Sequence, residues 1–187
     1  GYGYNAILES ISQKIAKTMP ALLILISVGL LIGTWMIGGT IPLMIYYGLN
    51  RINPSMIYVT ALLVTAVVSV CTGTSWGSAG TVGVAFMGVA IGMEANLAAT
   101  AGAIVAGAYF GDKLSPLSGD TNLASMAAQI DLYEHIAHLL YTTLPSLILS
   151  AFVMTLYGMN GELGGSTIPD KIQLITEGLK GIYHFNL

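Results

Sequence analysis

Two short polar stretches interrupt an apolar sequence, and both carry hard oxygen donors. In the first, Thr72, Thr74, Ser75, Ser78 and Thr81 supply hydroxyls, with Gly73, Gly77 and Gly80 between them. The second, Gly111–Asn122, reads G-D-K-L-S-P-L-S-G-D-T-N and offers hydroxyls, two carboxylates and an amide. A sodium ion takes ligands of this kind, together with backbone carbonyls. Glycine lets the backbone turn its carbonyls toward an ion, and Pro116 withdraws a competing N–H. The pattern points to cation binding at Asp112, Ser115, Ser118, Asp120, Thr121, Asn122, Thr72, Thr74, Ser75 and Ser78. A carboxylate shielded from water holds either a proton or a cation, so one site can exchange the two. Lys113 is a candidate to pair with Asp112 or Asp120, or to take the cation's place in an empty site.

Two plainer readings compete. Ser and Thr in membrane helices often bond back to their own backbone, and Gly often serves close helix packing. The first stretch would then be a packing device, and the second a wet loop with Asp112 and Lys113 as a surface pair. Short apolar segments on both sides of both breaks favour the ion site. Glu94 reads as a turn residue. Asp131, His135 and His138 share one helix face at i, i+4 and i+7. They lack a fourth ligand, so no transition-metal site is expected, and His135 and His138 remain candidates for pH sensing.

The elements that must position these residues are membrane helices. Charged residues make up 8% of the 187, against about 25% in soluble domains. No Asp, Glu, Lys or Arg occurs from Thr18 to Asn50, from Ile52 to Met93 or from His135 to Gly161. About 20 apolar residues suffice to cross a bilayer. The expected fold is all-α, a polytopic membrane helical bundle with a re-entrant hairpin and a broken helix, in about 4–6 membrane segments.

Along the chain, Tyr2–Met19 reads as an interfacial amphipathic helix and Pro20–Ile37 as a span with Pro20 at its start. Ile41–Leu49 continues it after a Gly38-Gly39 bend, with Trp35, Tyr46 and Tyr47 at the headgroups. Ser55–Val70, the short Val82–Met93 and Leu97–Phe110, and the moderately apolar Leu123–Leu132 follow. Ile136–Tyr157 is a full span kinked at Pro145, Gly158–Asp170 a loop and Lys171–Leu187 a weakly amphipathic end. Residues 1–187 form one partial transporter domain, with 20–37 and 136–157 as scaffold-like spans and 54–132 as transport core. The chain opens at Gly1 without methionine or a cleavable signal peptide, and we expect a piece of a longer protein. The net charge of −3, without a basic run, argues against a nucleic-acid partner. The single Cys71 excludes an intrachain disulfide and reads as a packed thiol. The expected partners are the lipid bilayer and small ions, with no cofactor.

At both breaks the sequence resembles the NhaC family of sodium/proton antiporters. The matching stretches are Gly33–Trp35, Gly39–Pro42, Thr72–Thr81, Gly107–Ala124, the H-x-x-H of His135 and His138, and Leu140–Pro145. The family form of the second motif is S-P-L-S-D-T-T-N. Here Gly119 stands at the expected Asp, and Asp120 one position later. Asp112, Ser115, Ser118, Thr121 and Asn122 match directly. The resemblance implies a multi-pass protein of the bacterial plasma membrane, not an enzyme, that transports Na+ and H+ without a cofactor. It also implies two inverted repeats, of which this chain is the first. Its partner would be the remaining half of the same transporter, with a homodimer as a candidate assembly. A sodium/proton-coupled malate/lactate-type antiporter is the alternative within transport, and a non-transporting membrane subunit the alternative outside it. If His135 and His138 sense pH, replacing both with alanine in the full-length protein shifts its activity–pH profile. A profile superimposable on wild type removes that role.

Overall fold

The computed structural model describes residues 3–160, with 173–175, 177–178 and 181. Most of the expected loop Gly158–Asp170 and of the Lys171–Leu187 end lies outside the described residues. The ordered elements are α1 (Tyr4–Ile37), α2 (Thr40–Arg51), a 3-10 turn (Pro54–Met56), α3 (Ile57–Thr72), α4 (Ser75–Gly92), α5 (Leu97–Leu114), α6 (Gly119–Ala128) and α7 (Leu132–Asn160). No strand occurs among the described residues, and the fold is all-α as the composition requires.

Three of these helices are long and apolar enough to cross a membrane: Pro54–Thr72, Ser75–Gly92 and Leu132–Asn160. Ile26–Ile37 and Thr40–Arg51 make a fourth if counted as one span, bent by 68°. The bend falls at the expected Gly38-Gly39, where Gly39 takes a left-handed φ of 80°. In contrast, no helix starts at position 20. α1 is one helix of 34 residues that runs through it. In an apolar setting every intrahelical hydrogen bond is worth keeping, and losing one at a proline costs less than ending the helix. α7 likewise continues through Pro145 from Leu132 to Asn160.

Both polar breaks are narrower than the sequence suggests. α3 ends at Gly73, left-handed at φ 68°, and α4 starts at Ser75 behind the N-cap Thr74. The rest of the stretch is helical, with a π turn over Ala79–Gly83. Val82–Met93 is therefore no isolated short arm, since all but Met93 falls in an 18-residue helix. At the second break α5 continues through Gly111, Asp112 and Lys113 to Leu114, and α6 starts at Gly119. A lysine in the last turn complements the negative end of the helix dipole. Only Ser115–Ser118 is non-helical.

Glycine decides how the helices meet. A Cβ at Gly107 would strike the Leu62 carbonyl, and one at Gly111 the Ala66 carbonyl and, at 2.8 Å, the Val70 nitrogen. Further along, a Cβ at Gly73 would lie 2.6 Å from the Leu117 carbonyl carbon. At the other end, the Tyr58 hydroxyl accepts from the Asn96 N–H at 3.0 Å. Residue numbers on α3 and α5 rise together through these contacts, so the two helices are parallel. α4 runs back against both of them, and Gly83 abuts Ile104. Leu62, Phe86, Val89, Met93 and Ile104 belong to the buried core of this trio. α7 closes the far end. Its Gly158 lies on the Ser55 carbonyl and Tyr157 stands edge-on to Tyr58, centroids 5.3 Å apart. Gly111→Ala should destabilise the full-length protein by roughly 1–3 kcal/mol, read as a lower denaturation midpoint. The same change at exposed Gly102, which has open space around it, should leave the midpoint within error.

Candidate functional site

Because α3 and α5 are parallel, they end at the same level. Two C-terminal carbonyl ends and the N-termini of α4 and α6 therefore converge around Gly73-Thr74 and Ser115–Ser118. Carbonyl ends of this kind suit a cation. Ser69, buried one turn before the first break, ties the group together. Its hydroxyl donates to the Ala108 carbonyl at 2.6 Å and lies 3.4 Å from the Thr74 carbonyl.

Most of the expected ligands share a second task, which is closing helix ends. Thr74 Oγ1 accepts from the Gly77 N–H at 3.2 Å. Ser78 donates to the Thr74 carbonyl at 2.8 Å and lies 3.0 Å from the Thr72 hydroxyl. Ser115 Oγ accepts from the Leu117 N–H and Ser118 Oγ from the Thr121 N–H, at 3.2 and 3.4 Å. Thr121 Oγ1 lies 3.1 Å from the Lys113 carbonyl and 3.3 Å from that of Asp112. Asn122 Nδ2 donates to the Pro116 and Ser118 carbonyls at 2.8 and 2.7 Å, pinning the break to α6.

Asp112, Ser75 and Asn122 keep side-chain oxygens open among the described residues. Asp112 is 8% exposed and Ser75 5%, and neither side chain makes a hydrogen bond among the described residues. Asn122 uses its amide nitrogen, and its amide oxygen makes no hydrogen bond among the described residues. The first turn of α4, which carries Ser75, packs on α5, which carries Asp112. Ser115, Ser118, Thr121 and Ser78 are buried with them. Thr72 is exposed, and so is Asp120 on the first turn of α6. The carboxylate that departs from the NhaC motif thus stands outside the buried group, while the one that matches lies within it. Lys113 pairs with neither Asp112 nor Asp120 among the described residues, and lines a cavity against α7 instead. Trp76, in the first turn of α4, is exposed.

Sequence reasoning overlooked Ser69 and Thr65. Both are fully buried on α3 four residues apart, and the Thr65 hydroxyl has no hydrogen-bond partner among the described residues. That i, i+4 spacing of hydroxyls in a β-branched helix was the available signal. Asp131 caps α7, accepting from the Tyr133 and Glu134 N–H groups at 2.8 and 3.3 Å. No cluster of three His, Cys, Asp or Glu that could hold a metal occurs among the described residues.

Apolar spans, two breaks at one level and open oxygens between them are the build of an ion-coupled membrane transporter. The chain belongs to the Na+/H+ antiporter family, whose model matches residues 47–157 and, in an overlapping match, 107–186. It is 70% identical over its whole length to a protein of Haemophilus influenzae described as an uncharacterized Na(+)/H(+) antiporter, covering 40% of that protein. It is 41% identical to the malate-2H(+)/Na(+)-lactate antiporter of Bacillus subtilis, again over the whole chain and 40% of the relative. Over 83% of its length it is 40% identical to the Na(+)/H(+) antiporter NhaC of Alkalihalophilus pseudofirmus, covering 34% of it. The chain thus spans about 40% of the length of the first two relatives. No solved structure matches it. Ser69→Ala removes the α3–α5 hydrogen bond, while the Ala108 carbonyl keeps its place in the helical ladder of α5, and this should cost about 0.5–1.5 kcal/mol of stability in the full-length protein. An unchanged denaturation midpoint would show that this bond does not hold the breaks together.

Proposed function

We propose that the protein to which this chain belongs exchanges sodium for protons across the bacterial plasma membrane, through a cation site shared by the two breaks. The observation that carries the reading is the placement of Asp112. It is a largely buried residue whose carboxylate makes no hydrogen bond among the described residues, beside the carbonyl ends of two parallel helices. A carboxylate largely screened from water favours a proton or a cation beside it. A proton neutralises it, and a sodium ion bound by Asp112, Ser75 and the Asn122 amide oxygen balances it. The two are mutually exclusive, and exchange follows if the site crosses only when one of them is bound. Ser115, Ser118, Thr121, Thr74 and Ser78 hold the helix ends in place. Residues 54–132 would carry the site past scaffold-like spans at 20–37 and 136–157, with the rest of the protein supplying the opposing half. The name of the Bacillus subtilis relative favours a second reading, in which an organic acid moves with the coupling ions.

In vesicles containing the full-length protein, Asp112→Asn should abolish sodium-dependent proton movement, whereas Asp120→Asn should retain most of it. Unchanged exchange in Asp112→Asn would remove Asp112 from the cycle.

A further inference from the structure

We propose that an apolar groove between α2, α3 and α4 seats one acyl chain of an anionic phospholipid, with Arg51 holding the headgroup phosphate. The groove has a volume of about 290 Å³. Leu43, Tyr47 and Ile52 line it from the α2 side, Val64 from α3, and Val82 and Val89 from α4. Val82 and Val89 are buried, whereas Tyr47 and Val64 are exposed. The groove therefore has a covered floor and open rims.

Its depth matches one leaflet of a bilayer. Several chain ends mark one face of the bundle. α2 ends at Arg51, and α3 is entered through the turn Pro54–Met56. α4 ends at Gly92, on which Leu49 packs, and Gly158 of α7 lies on the Ser55 carbonyl. Val82 precedes Gly92 by ten residues. At a rise of about 1.5 Å per residue, the groove reaches about 15 Å below that face, half of a hydrocarbon core of about 30 Å.

Shape and charge select the occupant. An apolar groove stays dry, and its walls lose dispersion contacts if nothing fills it. Hydrocarbon is the apolar material a bilayer supplies. A helix is about 10 Å across with its side chains, so two turns of one exceed the groove severalfold in volume. A single acyl chain is thin enough to enter. The headgroup is selected by Arg51, exposed in the last turn of α2, one turn after Tyr47 and next to Ile52. Its side chain has no ion pair among the described residues. Tyr46 and Tyr47 meet edge-on one turn deeper, centroids 5.4 Å apart, as amphipathic rings do at the headgroup level. A guanidinium pairs with two phosphate oxygens at once, and a basic residue at this level attracts anionic lipid. A zwitterionic lipid brings a cation of its own, which Arg51 repels.

The test is thermal denaturation of the purified, delipidated full-length protein in neutral detergent, with phosphatidylglycerol or phosphatidylcholine added. A ligand of the folded state raises the melting temperature. Phosphatidylglycerol should stabilise wild type more than phosphatidylcholine does. Arg51→Gln should remove that preference, and Lys113→Gln, a cation outside the groove, should keep it. Val64→Trp, which fills the groove, should lose the response to both lipids. If Val64→Trp does not fold, Leu43→Phe takes its place. Equal stabilisation by the two lipids, a preference that survives Arg51→Gln or is lost equally in Lys113→Gln, or a lipid shift that survives the filled groove overturns the proposal. A wild type indifferent to lipid also overturns it. In that case a dimer that Val64→Trp dissociates would give the groove to a second copy, and a monomer would give it to the rest of the same chain.

Discussion

The close approach of α3 and α5 is the constraint on which the rest depends. Gly107 and Gly111 have no side chain where the backbone of Leu62, Ala66 and Val70 passes, so the two helices touch backbone to backbone. Parallel helices of similar length that touch in register must end together. The convergence of their carbonyl ends, and of the α4 and α6 N-termini that follow, is then a consequence of packing. In lipid the apolar effect does little to drive helices together, and such small-residue contacts do more of the work. The interface that assembles the bundle is therefore also the one that brings the two breaks together.

That geometry divides labour among the polar residues. Helix ends at membrane depth leave backbone groups that water cannot satisfy. Thr74, Ser78, Ser115, Ser118, Thr121 and Asn122 satisfy them at distances of 2.7–3.4 Å. The reading of Ser and Thr as backbone partners therefore holds for these residues, and the proposed cation site would draw on the same atoms. Asp112 and Ser75 stand apart because both are buried and neither is used for capping.

Much of this was legible in the sequence. Spans, breaks and the Gly38-Gly39 bend follow from charge-free windows and glycine, which act locally. Membership in the antiporter family agrees with the resemblance read from the motifs. What was not legible lies in tertiary packing. Glycine and serine after Gly73 look like a long loop, yet α4 forms there because its N-cap is Thr74 and its neighbours bury it. Gly111, Asp112 and Lys113 look like the start of a polar loop, yet α5 continues because Gly111 must lie on α3. Nothing in the pattern distinguishes Asp112 from Asp120. Burial does, and burial depends on the parallel pair.

The central claim is that both breaks supply ligands to one cation. It is tested most directly by calorimetric titration of sodium into the purified full-length protein, comparing wild type, Ser75→Ala, Asp112→Asn and the double variant. A shared site predicts that each single substitution weakens sodium binding and that the double variant loses less than the sum of the two, since both oxygens serve one ion. Sodium affinity unchanged in Ser75→Ala, with loss confined to Asp112→Asn, would contradict a site built from both breaks.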